Sequence, residues 1–199
     1  MLFWSMYESL ISYFNSYATT PLRASDIDLI TNIFTPKKFR KRQYFLQEGE
    51  VSKHTAFIVK GAMRQYMVDD KGEEHIIQLF TENWWASDRE SEVKETPSKY
   101  FIDAWEDTET LLVLRKNILN LVGQIPSLFQ WIRKMDENNA VATQKRLNAA
   151  ISLSAEERYY DLEKTYPEFL QRFPQHIIAS YLGINRETLS RIRSRGVKK

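Results

Sequence analysis

The chain has 199 residues, a formal net charge of +2 and no cysteine. Hydrophobic residues make up 43% of it, which is enough to bury the core of one large domain or two small ones. The absence of cysteine excludes disulfides, thiolate zinc sites, iron–sulfur clusters and cysteine nucleophiles. It also fits a reducing cytoplasm, where we expect the protein to act.

The N-terminal segment predicts two helices and no targeting signal. Residues 1–14 are rich in apolar side chains, but they carry Glu8 and lack a basic start, so an amphipathic helix is favoured over a signal peptide. Residues 25–35 predict a second helix capped by Ser25 or Asp26. No apolar run reaches the roughly 20 residues that a membrane span needs, so no membrane partner is predicted.

From Lys37 the periodicity changes from helix to strand. Short segments rich in β-branched and aromatic residues are separated by turn signals such as Lys60-Gly61. These segments lie near 38–47, 54–60, 62–69, 74–80, 99–105 and 109–114. Many short strands at this spacing predict an antiparallel roll or barrel.

Helical patterns return after Lys116. A long helix is predicted from Pro126 to about Leu153, and the segment from Ser154 to Glu157 is a capping box for the next helix. A linker containing Pro167 leads to the C-terminal region. The predicted fold class is therefore α+β: an antiparallel β-roll with flanking helices, a long helix and a C-terminal helix-turn-helix.

The C-terminal segment from Phe173 to Lys199 has the pattern of a helix-turn-helix. Gly183 suits the left-handed conformation that ends a helix, and Asn185 is a good N-cap for the next one. Leu189 and Ile192 recur at helical spacing and are predicted to face inward.

The outward side of the last helix suits DNA. An arginine donates two bonds to guanine O6 and N7, and a carboxylate accepts from cytosine N4. The predicted base-reading residues are Arg186, Glu187, Ser190 and Arg191. The predicted phosphate-contacting residues are Gln175, Arg193, Arg195, Lys198 and Lys199. The competing interpretation is an ordinary surface helix with a basic tail, but the capped, inward-packed pattern favours DNA.

The run Leu182–Ile192, LGINRETLSRI, resembles the helix-turn-helix of the cyclic-AMP receptor protein / fumarate–nitrate regulator (Crp/Fnr) family of transcription factors. The resemblance implies that Arg186, Glu187 and Arg191 read bases. The element order also matches the family, which implies a sensor domain with a cyclic-nucleotide-binding-like jelly roll, a dimerisation helix and a DNA-binding domain. These occupy 1–125, 126–153 and 154–199, and we expect most of the family's C-terminal wing to be missing.

In the resembled family the long helix forms a parallel dimer seam. Here the seam is predicted along residues at alternating steps of three and four. These are Leu128, Trp131, Met135, Asn138 and Ala142. The alternative is that the long helix simply packs on its own roll. The predicted partners are therefore double-stranded DNA with a palindromic operator and a second copy of the chain, with RNA polymerase as a further candidate.

Nucleotide-binding members of the resembled family carry a Phe-Gly-Glu motif, a short helix and an arginine that pairs with the cyclic phosphate. In this chain the arginine position falls on Ser98, and the Gly-Glu pair falls near Ser87-Asp88. The intervening segment is acid-rich, so an anionic ligand would be repelled. The sequence predicts no cofactor and argues against cyclic AMP as the effector.

Two interpretations of the roll stay open. It binds a different, neutral or aromatic effector, or it has no ligand and serves as a dimer scaffold. The candidate pocket residues are Trp84, Trp85, Asp88, Ser98, Lys99 and Tyr100. Core packing is the competing explanation for the two tryptophans.

Catalytic patterns are sparse. The histidines His54, His75 and His176 do not have the spacing of a metal site, and the glycine-rich phosphate loops are absent. We predict no enzyme activity and no metal. The alternative function is an effector-sensing or protein-interaction roll whose helix-turn-helix is degenerate and does not bind DNA.

Overall fold

The N-terminal helices form as the apolar spacing predicts. The structure, a computed structural model, describes residues 2–18 and 20–196. Helix α1 spans Leu2–Asn15 and helix α2 spans Ala24–Ile33. Neither Ser25 nor Asp26 is the N-cap of α2, because Arg23 holds that position. Asp26 instead reaches back from the first turn, and its carboxylate accepts the Arg23 backbone N–H at 3.0 Å.

The β-roll consists of two four-stranded sheets in the described part of the chain. The strands are Thr35–Phe39 (β1), Tyr44–Leu46 (β2), His54–Lys60 (β3), Met63–Val68 (β4), Glu74–Phe80 (β5), Trp85–Ala86 (β6), Phe101–Ala104 (β7) and Thr108–Leu114 (β8). Their orders are β1-β8-β3-β6 and β2-β7-β4-β5. Strand β8 pairs antiparallel with both β1 and β3, and β2 pairs antiparallel with β7. The predicted α+β class with an antiparallel roll is confirmed.

The turn signal at Lys60-Gly61 has a packing cause as well as a conformational one. Gly61 adopts φ +105°, and a Cβ built there would lie 2.6 Å from Thr108 Oγ1 and 2.7 Å from Thr108 Cα. The same hydroxyl donates to the Ala62 carbonyl at 3.1 Å. Any other residue at this position would therefore push β8 away from the turn.

Seven further helices are seen in the described residues. They are Arg89–Lys94 (α3), Arg115–Gln124 (α4), Ser127–Ser152 (α5), Ala155–Thr165 (α6), Pro167–Arg172 (α7), Gln175–Leu182 (α8) and Arg186–Gly196 (α9). The long helix and the capping box between Ser154 and Glu157 are confirmed. Pro167 does not lie in a linker but opens α7, where its missing N–H costs no hydrogen bond.

The chain divides into two compact units. The first unit comprises the residues up to Gln65 together with Phe80–Asn138, and the second comprises Tyr66–Leu79 together with the chain from Asn139 onward. Both the β4–β5 hairpin and the long helix α5 are shared between them. These units cut across the predicted three-part division, which stays a functional proposal.

The core of the first unit brings aromatic side chains from helices and strands together. Phe14 from α1, Phe57 from β3 and Trp131 from α5 are fully buried, and the Phe14 and Trp131 ring centroids are 4.7 Å apart. A second cluster with Phe39, Ile58 and other apolar residues of the strands fills the roll. No helix among the described residues is long and apolar enough to cross a bilayer.

Candidate nucleic-acid interface

The turn between α8 and α9 is fixed by the two residues that the sequence singles out. Gly183 has φ 66° and ψ 37°, in the left-handed region, and its N–H donates to the last turn of α8. The next residue, Ile184, donates its N–H to the Ala179 carbonyl at 3.0 Å. The Asn185 side chain then accepts the Thr188 backbone N–H at 2.8 Å, which caps α9. The predicted helix-turn-helix geometry is confirmed at both positions.

The inward side of α9 is apolar and buried. Leu189 is 1% exposed and Ile192 is 5% exposed, and α9 packs against α8 and α6. Leu162 of α6 and Phe169 of α7 are buried in the same unit. The predicted inward positions are therefore confirmed, and this packing fixes which side of α9 faces solvent.

The outward side of α9 carries the predicted base-reading residues. All four of Arg186, Glu187, Ser190 and Arg191 are exposed. Arg191 Nη2 donates to Thr188 Oγ1 at 3.1 Å, which orients its guanidinium along the helix. Glu187 lies in the first turn, where the helix dipole favours a carboxylate. The arrangement offers planar guanidinium forks and a carboxylate acceptor on one accessible surface, the groups that recognise base edges in a major groove.

Positive charge is concentrated on the same helix. Helix α9 carries four arginines and one glutamate, and Arg193 and Arg195 lie exposed in its last turn. Gln175 is half-buried as the first residue of α8, where helix N–H groups favour an anion. Lys198 and Lys199 lie outside the described residues. The described part of the surface is thus suited to DNA phosphates.

The structure corrects the predicted dimer seam on the long helix. Leu128 and Trp131 are both 0% exposed and belong to the core of the first unit, so they are not available to a partner. Met135 is half-buried against the same core, while Asn138 and Ala142 are exposed. The first half of the predicted seam is therefore the side by which α5 packs on its own unit.

A different side of α5 presents apolar side chains to solvent. Phe129 is 57% exposed, Leu147 is 59% exposed and Ile151 is 77% exposed. At 3.6 residues per turn these three positions and Ala140 point to one side of the helix. Exposed large apolar groups in line on one helix are typical of a surface that meets a partner.

The candidate effector residues do not converge on one cavity. Trp85 packs in the first unit's core, with its ring centroid 5.0 Å from that of Phe57 and 5.2 Å from that of Trp131. Trp84 packs against the separate apolar cluster inside the roll. Core packing accounts for both tryptophans.

The polar candidates in this segment are engaged locally. Asp88 is 5% exposed, and its carboxylate accepts the N–H groups of Glu90 at 3.0 Å and Ser91 at 3.3 Å, which caps α3. Ser98 is 3% exposed, and its Oγ accepts the Tyr100 N–H at 3.0 Å. Lys99 is exposed and Tyr100 is half-buried. Asp88 and Ser98 are thus used to hold the loop.

A half-buried acid, Glu92, lies in the same segment. Glu92 Oε1 accepts the Thr55 hydroxyl at 2.7 Å, and burial raises the pKa of the Glu92 carboxyl. A nearby anionic ligand would further disfavour the ionised form of this carboxyl.

The hairpin between β4 and β5 brings together three groups that the sequence pattern did not connect. Ligand atoms of Asp69, Glu73 and His75 lie within 4.8 Å of one another. Asp69 already accepts the Lys71 and Glu73 backbone N–H groups at 2.9 Å, and its other oxygen lies 2.9 Å from His75 Nε2. The His75 hydrogen bond lowers the pKa of the Asp69 carboxyl. The bonds of Asp69 to His75 and to the two backbone N–H groups hold the turn together. The sequence pattern did not indicate this cluster, because no second histidine lies two residues from His75.

Comparison with known proteins gives relatives over most of the chain. No protein-family model matches it. The chain is 25% identical over 186 residues to the anaerobic regulatory protein of Haemophilus influenzae, an alignment that covers 87% of this chain and 72% of that protein. It is 32% identical over 104 residues to the transcriptional regulatory protein btr of Bordetella pertussis, with 46% of this chain and 43% of that one covered.

The fold is shared with solved regulators. FixK2 from Bradyrhizobium japonicum matches with a TM-score of 0.66 and 21% identity, over 82% of this chain and 84% of that one. A CooA mutant from Carboxydothermus hydrogenoformans matches with a TM-score of 0.68 and 18% identity, over 85% and 78% of the two chains. The chain is thus similar over most of its length to an anaerobic regulatory protein, and it shares the fold of solved regulators such as FixK2.

Proposed function

We propose that this protein regulates transcription as a homodimer that recognises a palindromic operator. The observation that carries the proposal is the exposed side of α9, where Arg186, Glu187, Ser190 and Arg191 stand on a helix that is capped by Asn185. The buried Leu189 and Ile192 prevent that side from turning inward. A helix presented in this way suits the major groove.

The mechanism assigns each group a role. Arg186, Glu187 and Arg191 read base edges, with Ser190 adapting to either a donor or an acceptor. Arg193 and Arg195 contact phosphates and set the position of the helix, as do Gln175 and the C-terminal lysines Lys198 and Lys199. Two copies place their recognition helices in successive major grooves, with half-sites about 34 Å apart.

The exposed apolar side of α5 supports a second copy of the chain as the partner. Phe129, Leu147 and Ile151 each leave more than half of the side chain exposed. In a parallel pair of α5 helices the same residues meet across a two-fold axis, which is how apolar stripes on long helices are buried. A regulator that needs two reading heads gains both by this contact. We include RNA polymerase among its partners, because a bound regulator acts on transcription through the polymerase, and we place its action in the cytoplasm with the DNA.

Classical cyclic AMP does not fit the roll. Ser98 is buried at the position where the resembled family's nucleotide-binding members place arginine, and Glu92 of the same segment is a half-buried acid. A ligand that bound only the folded state would stabilise it by about 2.7 kcal/mol at 100 times its dissociation constant. We therefore expect cyclic AMP and cyclic GMP to leave the melting temperature and the DNA affinity unchanged, and a saturable shift in either would contradict this part of the proposal.

Selection of bound fragments from a random DNA pool tests the function directly. The expected result is a pair of inverted half-sites whose centres are one helical turn apart. The affinity of the selected fragment should fall steeply with salt, because phosphate contacts release counterions. No enrichment, or enrichment of a single unrepeated site, would contradict the dimeric reader.

A further inference from the structure

The first helix of the reading head is joined by side chains to an edge strand of the roll. Strand β5 stands at the end of its sheet, so its outer backbone groups are not paired by another strand. Ser180 of α8 fills part of that gap. Its Oγ accepts the Ile76 N–H at 2.9 Å and donates to the Glu74 carbonyl at 3.1 Å. One hydroxyl thus satisfies a donor and an acceptor of β5.

An arginine from the long helix adds a second tie at the same place. Arg146 donates through Nη1 to the Ile77 carbonyl and through Nη2 to the Ile76 carbonyl at 3.4 Å. The same Nη2 reaches the Tyr181 carbonyl of α8 at 3.4 Å. The guanidinium also lies over the Tyr181 ring, 4.3 Å from its centroid. A single side chain therefore holds α5, β5 and α8 together.

All of these groups belong to the second compact unit. Tyr181 is followed at once by Leu182 and by Gly183, the residue that ends α8 and leads into α9. A change in the position of α8 is therefore passed to the recognition helix. Burial raises the pKa of the Tyr181 hydroxyl, in keeping with a ring that is packed and not a mobile surface group.

From these contacts, and resting on the proposed function, we infer that Arg146 and Ser180 are positioning residues for DNA reading. They lock α8 onto β5 and onto the half of α5 that carries Leu147 and Ile151. In the dimer this lock sets the separation of the two recognition helices. Neither residue touches DNA in this account, so its effect is on operator spacing and not on base recognition.

The test uses the full chain and a set of palindromes that differ only in the spacer between half-sites. The variants are Ser180→Ala, which removes both bonds to β5, and Arg146→Gln, which removes the guanidinium fork. The matched controls are Ser152→Ala, an exposed serine near the end of α5, and Lys145→Gln, the exposed neighbour of Arg146. Affinity is measured for each palindrome and for an isolated half-site.

For the two lock variants we expect unchanged half-site affinity and about a tenfold loss on the palindrome with the preferred spacer. The loss of affinity should be smaller for palindromes whose spacer is one or two base pairs longer or shorter. The affinity of the lock variants should therefore depend less on spacer length than that of the wild type. The controls should behave as wild type. An unaltered spacing preference in both lock variants would overturn the inference. An equal loss on half-site and palindrome would also overturn it, because that is the result of a purely structural role.

Hydrogen exchange separates this inference from the proposed function. The Ile76 amide should exchange faster in Ser180→Ala than in Ser152→Ala, with or without DNA. If the wild-type chain binds no palindrome, the proposed function fails and the inference falls with it. If the wild type shows a spacing preference that the lock variants keep, only the inference fails.

Discussion

Helix α9 and the segment 84–100 are both rich in polar side chains, but they use them in opposite ways. In α9 the polar groups stand exposed on a helix that Asn185 caps and Leu189 anchors. In the segment 84–100 two polar groups turn inward: Asp88 caps α3, and the Ser98 hydroxyl bonds to its own loop. The polar groups of α9 are accessible to a ligand, whereas Asp88 and Ser98 form hydrogen bonds with their own backbone.

The two regions differ in whether they meet the physical requirements of ligand binding. A reading surface requires polar groups that the fold leaves accessible, and α9 meets that condition. A phosphate pocket requires a buried cation, and the segment 84–100 supplies a buried serine and a half-buried acid instead. The accessible polar groups of α9 therefore support the proposed DNA reading, whereas the segment 84–100 offers no comparable support for nucleotide binding.

The largest expected effect is on the free energy of unfolding, and it comes from the core of the first unit. Leu128→Ala removes a fully buried side chain and should lower the free energy of unfolding by about 2–5 kcal/mol. Leu119→Ala, at a leucine that is 51% exposed in the same unit, should change it by less than about 0.5 kcal/mol. Urea unfolding measures both.

The dependence on protein concentration sharpens this result. If Leu128 faces the core of its own protomer, the loss of stability in Leu128→Ala persists when the protein is diluted to monomer. A loss of stability that disappears on dilution would mean that Leu128 contacts a second copy of the chain, and it would contradict the burial of Leu128 in the core of its own protomer.

A smaller effect is expected at the cap of the recognition helix. Asn185→Ala removes the acceptor for the Thr188 N–H and should cost about 0.5–2 kcal/mol of stability. Asn185→Asp keeps an acceptor and should cost less. The measurement is thermal unfolding of both variants beside operator affinity. If Asn185 acts only by stabilising α9, its replacement should weaken binding to operator and to unrelated DNA alike, because no base contact is lost.

The smallest effect is expected at the half-buried acid Glu92. Burial raises the pKa of the folded-state Glu92 carboxyl above its ordinary value of 4.5, so the folded state binds this proton more tightly than the unfolded state. Stability from this group is therefore full at low pH and is lost as pH rises through the raised pKa. Glu92→Gln keeps an acceptor for Thr55 and lacks this loss, so it should melt slightly higher than wild type at pH 7. The difference should shrink at pH 4, and a variant that melts lower at pH 7 would contradict the assignment.

The helix-turn-helix could be predicted because its signals are local. Gly183, Asn185 and the spacing of Leu189 and Ile192 each act within one or two turns of the helix. The side of α5 that packs on its own unit could not be predicted, because α5 carries apolar side chains on more than one side. Periodicity does not say whether Leu128 or Phe129 meets the roll, since only the tertiary fold decides which side is covered.

Other features depended on contacts between distant parts of the chain. Ser180 and Ile76 are joined only when α8 meets an edge strand, and nothing in either local sequence indicates the pairing. Asp69 and His75 meet because the β4–β5 hairpin closes. The sequence predicts a linker at Pro167, whereas Pro167 starts α7, because a proline is compatible with the first turn of a helix.

The most direct test of the central claim is the affinity of Arg186→Ala and Arg191→Ala for the selected operator at fixed salt. Arg40→Ala, which removes an exposed arginine from the first unit, is the matched control. Each reading variant should lose about 1–3 kcal/mol of discrimination between operator and unrelated DNA, whereas the control should lose none. If both reading variants bound and discriminated like Arg40→Ala, the assignment of α9 as the recognition helix would be contradicted.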